Sequence, residues 1–178
     1  MMIIRCFVHY IMPVIPEHSA VKHFPLPFNA TELEAWAKSQ RQTLAGPATC
    51  GLLFTTPQAS VHAQEIIEIV RIFAQVPTII GCAASGLIAG SEELENDAGF
   101  CVALYHFPHT AVRAVQLPLE AFTCADRPAA LRRTLGPEPD AVNAWILLAA
   151  PEGISSEGWL PDWDQATGRR TTIGGFAC

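Results

Sequence analysis

A run of small residues ends a short apolar segment and is followed at once by carboxylates, in the stretch IIGCAASGLIAGSEELE (residues 79–95). Backbone amides are poorly shielded where side chains are this small, and glycine allows the positive φ angles with which successive amides converge on an anion. Amides from Ala84 to Gly86 would receive a carboxylate, and an acidic residue after the turn would accept an ammonium group. The pattern predicts a ligand-binding site formed by Gly81, Cys82, Ala84, Ser85, Gly86, Gly90, Glu93 and Glu95.

The same small residues have a second interpretation, in which they let a helix cross the sheet closely and bind nothing. The sequence leaves the two interpretations open. Both place the stretch at the end of a strand, because an apolar segment precedes it. The end of a strand at the rim of a sheet is a frequent position for ligands in α/β proteins.

The glycine spacing does not fit three well-known catalytic or nucleotide-binding motifs. Gly81 and Gly86 have the spacing of a P-loop, but Leu87 and Ile88 stand where that loop needs Lys and Ser or Thr. The Rossmann spacing is not met, and Ser85 lacks the flanking glycines of a nucleophile elbow. No nucleophile and base can be paired from the sequence, so we predict no catalytic residues and no enzyme activity.

The cysteines and histidines do not form a recognisable metal site. His106 and His109 have a spacing that could bring them near one metal or haem, but no Cys or carboxylate accompanies them. Cys82 would be reactive only if helix-end amides lowered its pKa, and a buried small residue is the favoured interpretation. We therefore predict no metal and no cofactor. The cysteines are scattered and lie mostly in apolar runs, which is typical of a reducing, cytoplasmic location: Cys6, Cys50, Cys82, Cys101, Cys124 and Cys178.

Composition narrows the class of protein further. Half of the 178 residues are hydrophobic, which is enough for one domain with a core, and the net charge of -6 argues against a nucleic-acid partner. No apolar run is long enough to span a membrane, so no membrane partner is predicted. Residues 1–20 contain His9 and Pro13 and no cleavage site, so we expect a mis-assigned or loose extension with Val21 as the true initiator.

Hydrophobic periodicity predicts an α/β fold, a mixed β-sheet flanked by helices in a single domain over residues 21–178. Thr31 and Glu34 fit a capping box that opens a first helix, and residues 61–75 carry an apolar stripe typical of a second. No internal repeat is visible. The remaining predicted elements are strands at 50–57, 76–82, 99–107, 110–117, 143–151 and 171–176, a helix at 127–135 and a weak helix or loop at 155–168; the strands at 99–107 and 110–117 are expected to form a hairpin.

The segments GLLFTTP, IIGCAASGLIAGSEELE and GFCVALYHFP, taken in this order, resemble the N-terminal domain of the FIST family, and TTIGGFAC resembles a later segment of it. The resemblance covers about residues 21–178. It implies a sensory domain of intracellular signal transduction that binds a small ligand such as an amino acid or a similar small molecule. It also implies two alternatives, a protein-interaction scaffold and a haem-based gas sensor, and a partner in the C-terminal FIST half or a signalling protein.

The chain departs from that family pattern in two places. It stops at Cys178, near the point where the C-terminal half is expected, so we interpret it as truncated before that half. It also reads FPLPFNATELEAW at residues 24–36, without the histidines that related bacterial sequences often carry there. The second departure weakens the haem alternative.

Overall fold

The computed structural model describes residues 17–95, 98–136, 142–150 and 158–176. Within these ranges no helix is long and apolar enough to cross a membrane. A short 3₁₀ turn, Ser60–His62, leads into the second helix. The elements are β1 (Ser19–Pro25), α1 (Ala30–Thr43), β2 (Cys50–Thr55), α2 (Ala63–Phe73), β3 (Ile79–Ala83), β4 (Gly86–Ala89), β5 (Glu92–Glu95), β6 (Gly99–Tyr105), α3 (Glu120–Thr123), α4 (Arg127–Leu135), β7 (Ala144–Ala149), α5 (Trp159–Thr167) and β8 (Thr171–Phe176).

The main sheet has four strands in the order β1-β6-β2-β3. β6 runs antiparallel to both of its neighbours, whereas β2 and β3 are parallel, so the predicted mixed α/β sheet is confirmed. Helices α1 and α2 cover one face. Their stripes place Leu33, Ile66 and Val70 in one core with Leu53 of β2 and Phe100 of β6. Burial of such large apolar side chains is the main force that holds the helices on the sheet.

A second core lies in the later part of the chain and shares no residue with the first. Phe122, Leu131 and Trp163 from the three later helices pack together there, and Trp145 and Leu147 of β7 contact them. β7 and β8 form a separate, two-stranded parallel sheet. The helix predicted at 127–135 is confirmed, and Gly136 ends it with a φ of 100°. Of the two alternatives predicted for residues 155–168, a helix or a loop, the structure has a helix at Trp159–Thr167.

The two parallel strand pairs have the same strand–helix–strand arrangement, although no repeat is visible in the sequence. β2, α2 and β3 form a strand–helix–strand unit, and β7, α5 and β8 form another. Leu53 lies opposite Gly81 in the first unit, and Leu147 lies opposite Gly174 in the second. In both units the leucine side chain contacts the core under the connecting helix. The later unit is therefore a second version of the earlier one.

Two sequence predictions of local structure are wrong. Residues 110–117 form no strand, because β6 already has β1 on one edge and β2 on the other and no edge remains for a hairpin partner. The first helix does not begin with a capping box at Thr31. Asn29 caps it instead, and its side-chain oxygen accepts a hydrogen bond from the Glu32 amide at 3.2 Å.

Residues before Val21 already form part of the folded structure. β1 begins at Ser19, and the Ala45 amide donates a hydrogen bond of 2.8 Å to the Glu17 carbonyl. This strand was missed in the sequence, since its partner β6 is about eighty residues away. Residues 1–16 of the predicted extension lie outside the described residues, and an initiator at Val21 stays a prediction.

Candidate functional site

The glycine-rich stretch forms one strand, β3, followed by a two-stranded hairpin of β4 and β5. Gly81, Cys82 and Ala83 belong to β3 itself, which pairs in parallel with β2. Ala84 and Ser85 link it to β4, which returns as β5 through a two-residue turn at Gly90 and Ser91. The stretch is therefore not one continuous anion-binding turn.

The reason for glycine at position 81 lies within the chain. A β-carbon built on Gly81 would overlap the carbonyl oxygen of Leu53 on the neighbouring strand. A side chain is excluded there because β2 comes too close. This is the close approach that the sequence suggested, and the group that approaches is another part of the same protein.

The backbone geometry also differs from the predicted amide cradle. The Ala84 amide donates a 2.8 Å hydrogen bond to the Thr55 carbonyl, so it is already paired. Among the three glycines of the motif only Gly90 has a positive φ, 64°, which suits the first residue of a two-residue hairpin turn. Gly86 has ordinary backbone angles and open space beside it, since the nearest atom to a built β-carbon is the Leu94 carbonyl oxygen at 3.8 Å.

The two candidate carboxylates lie on the outer face of the hairpin. Glu93 is opposite Ile88 and Glu95 is opposite Gly86, and all four residues are exposed. Side chains alternate along a strand, so Leu87 points the other way and is buried against the main sheet. The hairpin thus brings Gly86, Glu93 and Glu95 together on a solvent-facing patch, with Ser85 exposed beside it, and whether that patch binds a ligand stays a prediction.

A cleft of about 470 Å³ lies at the other side of the main sheet, along the outer edge of β1. Its size falls within the usual range for small-molecule sites. Residues from β1, from the segment before it and from α1 line it: Glu17, His18, Ser19, Ala20, Val21, Trp36 and Gln40. None of these was predicted as a site residue.

The register of β1 fixes which main-chain groups point into this cleft. The His106 amide donates to the His18 carbonyl at 2.8 Å, and the Leu26 amide donates to the Ala98 carbonyl at 2.9 Å. Hydrogen bonds to an antiparallel neighbour alternate along a strand, so the even-numbered residues between them bond to β6. Ser19 and Val21 therefore turn their N–H and C=O groups away from the sheet, toward the cleft that they line.

The glycine hairpin reaches the same edge of the sheet. Val21 lines the cleft, and its Cγ1 atom lies 3.9 Å from a β-carbon built on Gly90, at the hairpin turn. The hairpin also contacts β6, where the Cys101 thiol lies 3.7 Å from the Ile88 carbonyl oxygen. The predicted motif is thus connected to the cleft through its turn, although Glu93 and Glu95 do not line it.

Cys50 and Cys101 of the main sheet are buried thiols. Burial raises the pKa of the Cys101 thiol to about 11, and burial also raises the pKa of Cys50. Burial, with the nearby Cys50 and Cys101, raises the pKa of Tyr105 as well. The described cysteines Cys50, Cys82, Cys101 and Cys124 form no disulfide, whereas Cys6 and Cys178 lie outside the described residues.

The predicted histidine pair does not come together as a metal site. His106 lies against Pro47, with its Nδ1 atom 2.8 Å from that carbonyl oxygen, and its ring stacks on His18 at 5.7 Å between centroids. His109 stands apart in an exposed loop with a φ of 57°. Across the part of the chain that the structure describes, no group of three or more His, Cys, Asp and Glu side chains is placed to hold a metal.

These features define a mixed α/β domain with a ligand-sized cleft at the open edge of its main sheet. A family model described as the FIST N domain matches residues 49–178, well over half of the chain. The protein therefore belongs to the FIST family, whose members are sensory and signal-transduction domains. No curated protein and no solved structure matches the chain. The cleft is formed by residues that precede the matched region.

Proposed function

We propose that the protein is the ligand-binding part of a signalling system and that its ligand is an amino acid or a molecule of similar chemistry. The observation that carries the proposal is the cleft beside β1, where the outward main-chain groups of Ser19 and Val21 meet the side chains of Glu17, Trp36 and Gln40. The domain then acts by binding rather than by catalysis.

An amino acid matches the groups that line this cleft. Its carboxylate would accept hydrogen bonds from the Val21 amide and the Gln40 side chain, because an exposed strand edge offers unpaired N–H donors. Its ammonium would donate to the Glu17 carboxylate and the Ser19 carbonyl. The indole ring of Trp36 provides an apolar wall for the side chain of the ligand.

Contacts with the rest of the fold support two walls of the cleft. The Trp36 ring packs edge-on against Phe24, with 5.5 Å between centroids, and Phe24 is buried in the first core. The Glu17 main chain is tied to the end of α1 through the Ala45 amide. A preformed site pays less ordering cost on binding, which favours affinity for a small ligand.

The test is a thermal-shift screen of the full chain against the proteinogenic amino acids and haemin, followed by calorimetry on any hit. We expect one amino acid or a few similar ones to stabilise the protein. Replacement of Glu17 with Gln should weaken binding about tenfold or more, because a hydrogen bond to a charged group is lost. Gln40→Ala should weaken it by less, and Gln42→Ala, an exposed change on the same helix, should leave it unchanged.

A second variant separates this cleft from the site predicted in the hairpin. Gly86→Val places a side chain beside Glu95 on the exposed patch and leaves the β1 edge untouched. Binding should survive this change. If Gly86→Val abolishes the amino-acid shift while Glu17→Gln does not, the hairpin is the site.

The same screen decides among the alternative functions. A Soret band with haemin and no amino-acid shift would indicate a haem-based sensor. Silence with every compound would contradict the ligand proposal and leave the scaffold alternative, with the C-terminal FIST half or a signalling protein as its partner. A cytoplasmic location remains part of the proposal, and it is supported by Cys50 and Cys101 of the main sheet, which form no disulfide.

A further inference from the structure

The first strand of each strand–helix–strand unit has one edge that faces away from its parallel partner. The two units differ in whether another strand pairs with that edge. In the earlier unit, β2 pairs with β3 on one side and with β6 on the other. In the later unit, β7 pairs with β8, and no described strand pairs with its other edge. A two-stranded sheet with an open edge is a weak structure by itself.

The correspondence between the two units indicates which main-chain N–H and C=O groups of β7 face its open edge. A β-carbon built on Gly174 would overlap the Leu147 carbonyl, as one on Gly81 would overlap the Leu53 carbonyl, so both leucines turn their main chain toward the parallel partner. N–H and C=O groups alternate in direction along a strand. Ala144, Ile146 and Leu148 therefore turn theirs toward the open edge.

In the first unit, the corresponding edge of β2 is paired with β6. Leu52 and Phe54, the counterparts of Ile146 and Leu148, lie opposite Ala103 and Cys101 of β6 in an antiparallel ladder. The strand that satisfies this edge is therefore antiparallel and apolar. An exposed edge of this kind is a template for pairing with another chain.

We infer that the open edge of β7 pairs with the β7 strand of a second copy of this protein, and that the two copies form a symmetric dimer. A two-fold axis perpendicular to a sheet makes two identical edge strands antiparallel, which is the arrangement that the first unit has at this edge. Like β6, β7 is an apolar strand, with a run of four apolar residues: Trp145, Ile146, Leu147 and Leu148. The dimer does not depend on the proposed ligand.

The directions of the main-chain groups also set the register. In an antiparallel pair, a residue whose N–H and C=O groups point toward the partner strand must lie opposite a residue of that strand whose groups point back. Placing the axis at Ile146 pairs it with itself and pairs Ala144 with Leu148 of the other copy, so that all three outward residues form hydrogen bonds. The Ile146 side chain, 41% exposed, then lies beside its own symmetry mate and beside Ile173, its 60% exposed neighbour on β8.

The test is the association state of the full chain by analytical ultracentrifugation over a wide concentration range. We expect a reversible dimer with a dissociation constant of about 1–100 µM, since the contact is small and centres on one strand pair. Ile146→Lys should weaken dimerisation at least tenfold, because it sets like charges side by side on the axis. Leu160→Lys is the matched control, as Leu160 is an exposed apolar residue of α5, and it should dimerise like the parent.

Hydrogen exchange gives a second readout that does not depend on any substitution. The Ile146 and Leu148 amides should exchange more slowly at high protein concentration than at low, whereas the Leu147 amide, directed toward β8, should be slow at both. A parent protein that stays monomeric at about ten times the expected dissociation constant would overturn the inference. So would an Ile146→Lys variant that folds and dimerises normally, or amides at 146 and 148 that are equally slow at every concentration, which would indicate an edge filled from within the chain.

Discussion

The carbonyl oxygen of Leu53 occupies the space that a side chain on residue 81 would need, and Leu147 stands in the same relation to Gly174. Each pair joins two parallel strands linked by one helix. The glycine is needed because the adjacent strand approaches closely, and the two glycines mark equivalent positions in two copies of one unit. The prominent glycine of the predicted site is thus explained by strand packing.

Replacement of Gly81 with Ala should therefore destabilise the protein. The added methyl group would meet backbone atoms of β2, which cannot move aside as a flexible side chain can, and overpacking of this kind costs about 1–3 kcal/mol. Gly86→Ala is the matched control, because it adds the same methyl group on the next strand of the motif, β4, where space is open. Urea unfolding of the two variants checks this, and a Gly81→Ala variant as stable as Gly86→Ala would contradict the packing account.

The start of the first helix offers a second test. Asn29→Ala removes the side-chain oxygen that accepts the Glu32 amide, and loss of such a cap costs about 1 kcal/mol. Thr31→Ala should change the free energy of unfolding much less, since Thr31 is an exposed residue inside the helix. If Thr31→Ala proves the more destabilising, the capping box predicted from the sequence is correct after all.

Much of the fold could be predicted because its signals are local. The apolar stripe of α2 buries Ile66 and Val70 as its period predicts, and β2 is a continuous apolar segment ended by a proline. Residues 110–117 show the limit of this reasoning. They alternate like a strand, but strands form only where an edge is free, and distant parts of the chain decide which edges are free.

The cleft could not be predicted for the same reason. Ser19 and Val21 are unremarkable in sequence, and their importance comes from a register with β6 that turns their main-chain groups outward. Glu17 and Trp36 belong to different elements and meet only in the fold. By contrast, Glu93 and Glu95 were conspicuous in the sequence as a cluster, but they lie on an exposed face of the hairpin.

The buried Cys101 thiol makes stability depend on alkaline pH. Its pKa in the folded protein, about 11, is above the ordinary value of 9.0 that it takes when unfolded. The folded state therefore holds this proton more strongly. The contribution to stability is fully present below pH 9 and is lost as the pH rises through about 11, by at most about 3 kcal/mol.

This loss can be isolated with a variant that lacks the thiol. We expect the free energy of unfolding of Cys101→Ala to fall less between pH 8.5 and 10.5 than that of the parent, about 2 kcal/mol less at most. Cys124→Ala is the matched control because Cys124 is exposed, and it should follow the parent. Parallel pH profiles for the parent and Cys101→Ala would contradict the raised pKa.

The Thr56 hydroxyl ties the end of β2 to the start of β6. It accepts a hydrogen bond from the Gly99 amide and donates one to the Gly99 carbonyl, both at 3.1 Å, and the side chain is buried. Thr56→Val keeps the shape but leaves the buried Gly99 amide without its acceptor, which should cost about 1–3 kcal/mol, whereas the Gly99 carbonyl keeps the Thr56 amide as a donor at 2.9 Å. Thr56→Ser restores the hydroxyl and should recover most of that loss in urea unfolding. A Thr56→Ser variant less stable than Thr56→Val would show that the methyl group, which Val keeps and Ser lacks, matters more at this junction than the pair of hydrogen bonds.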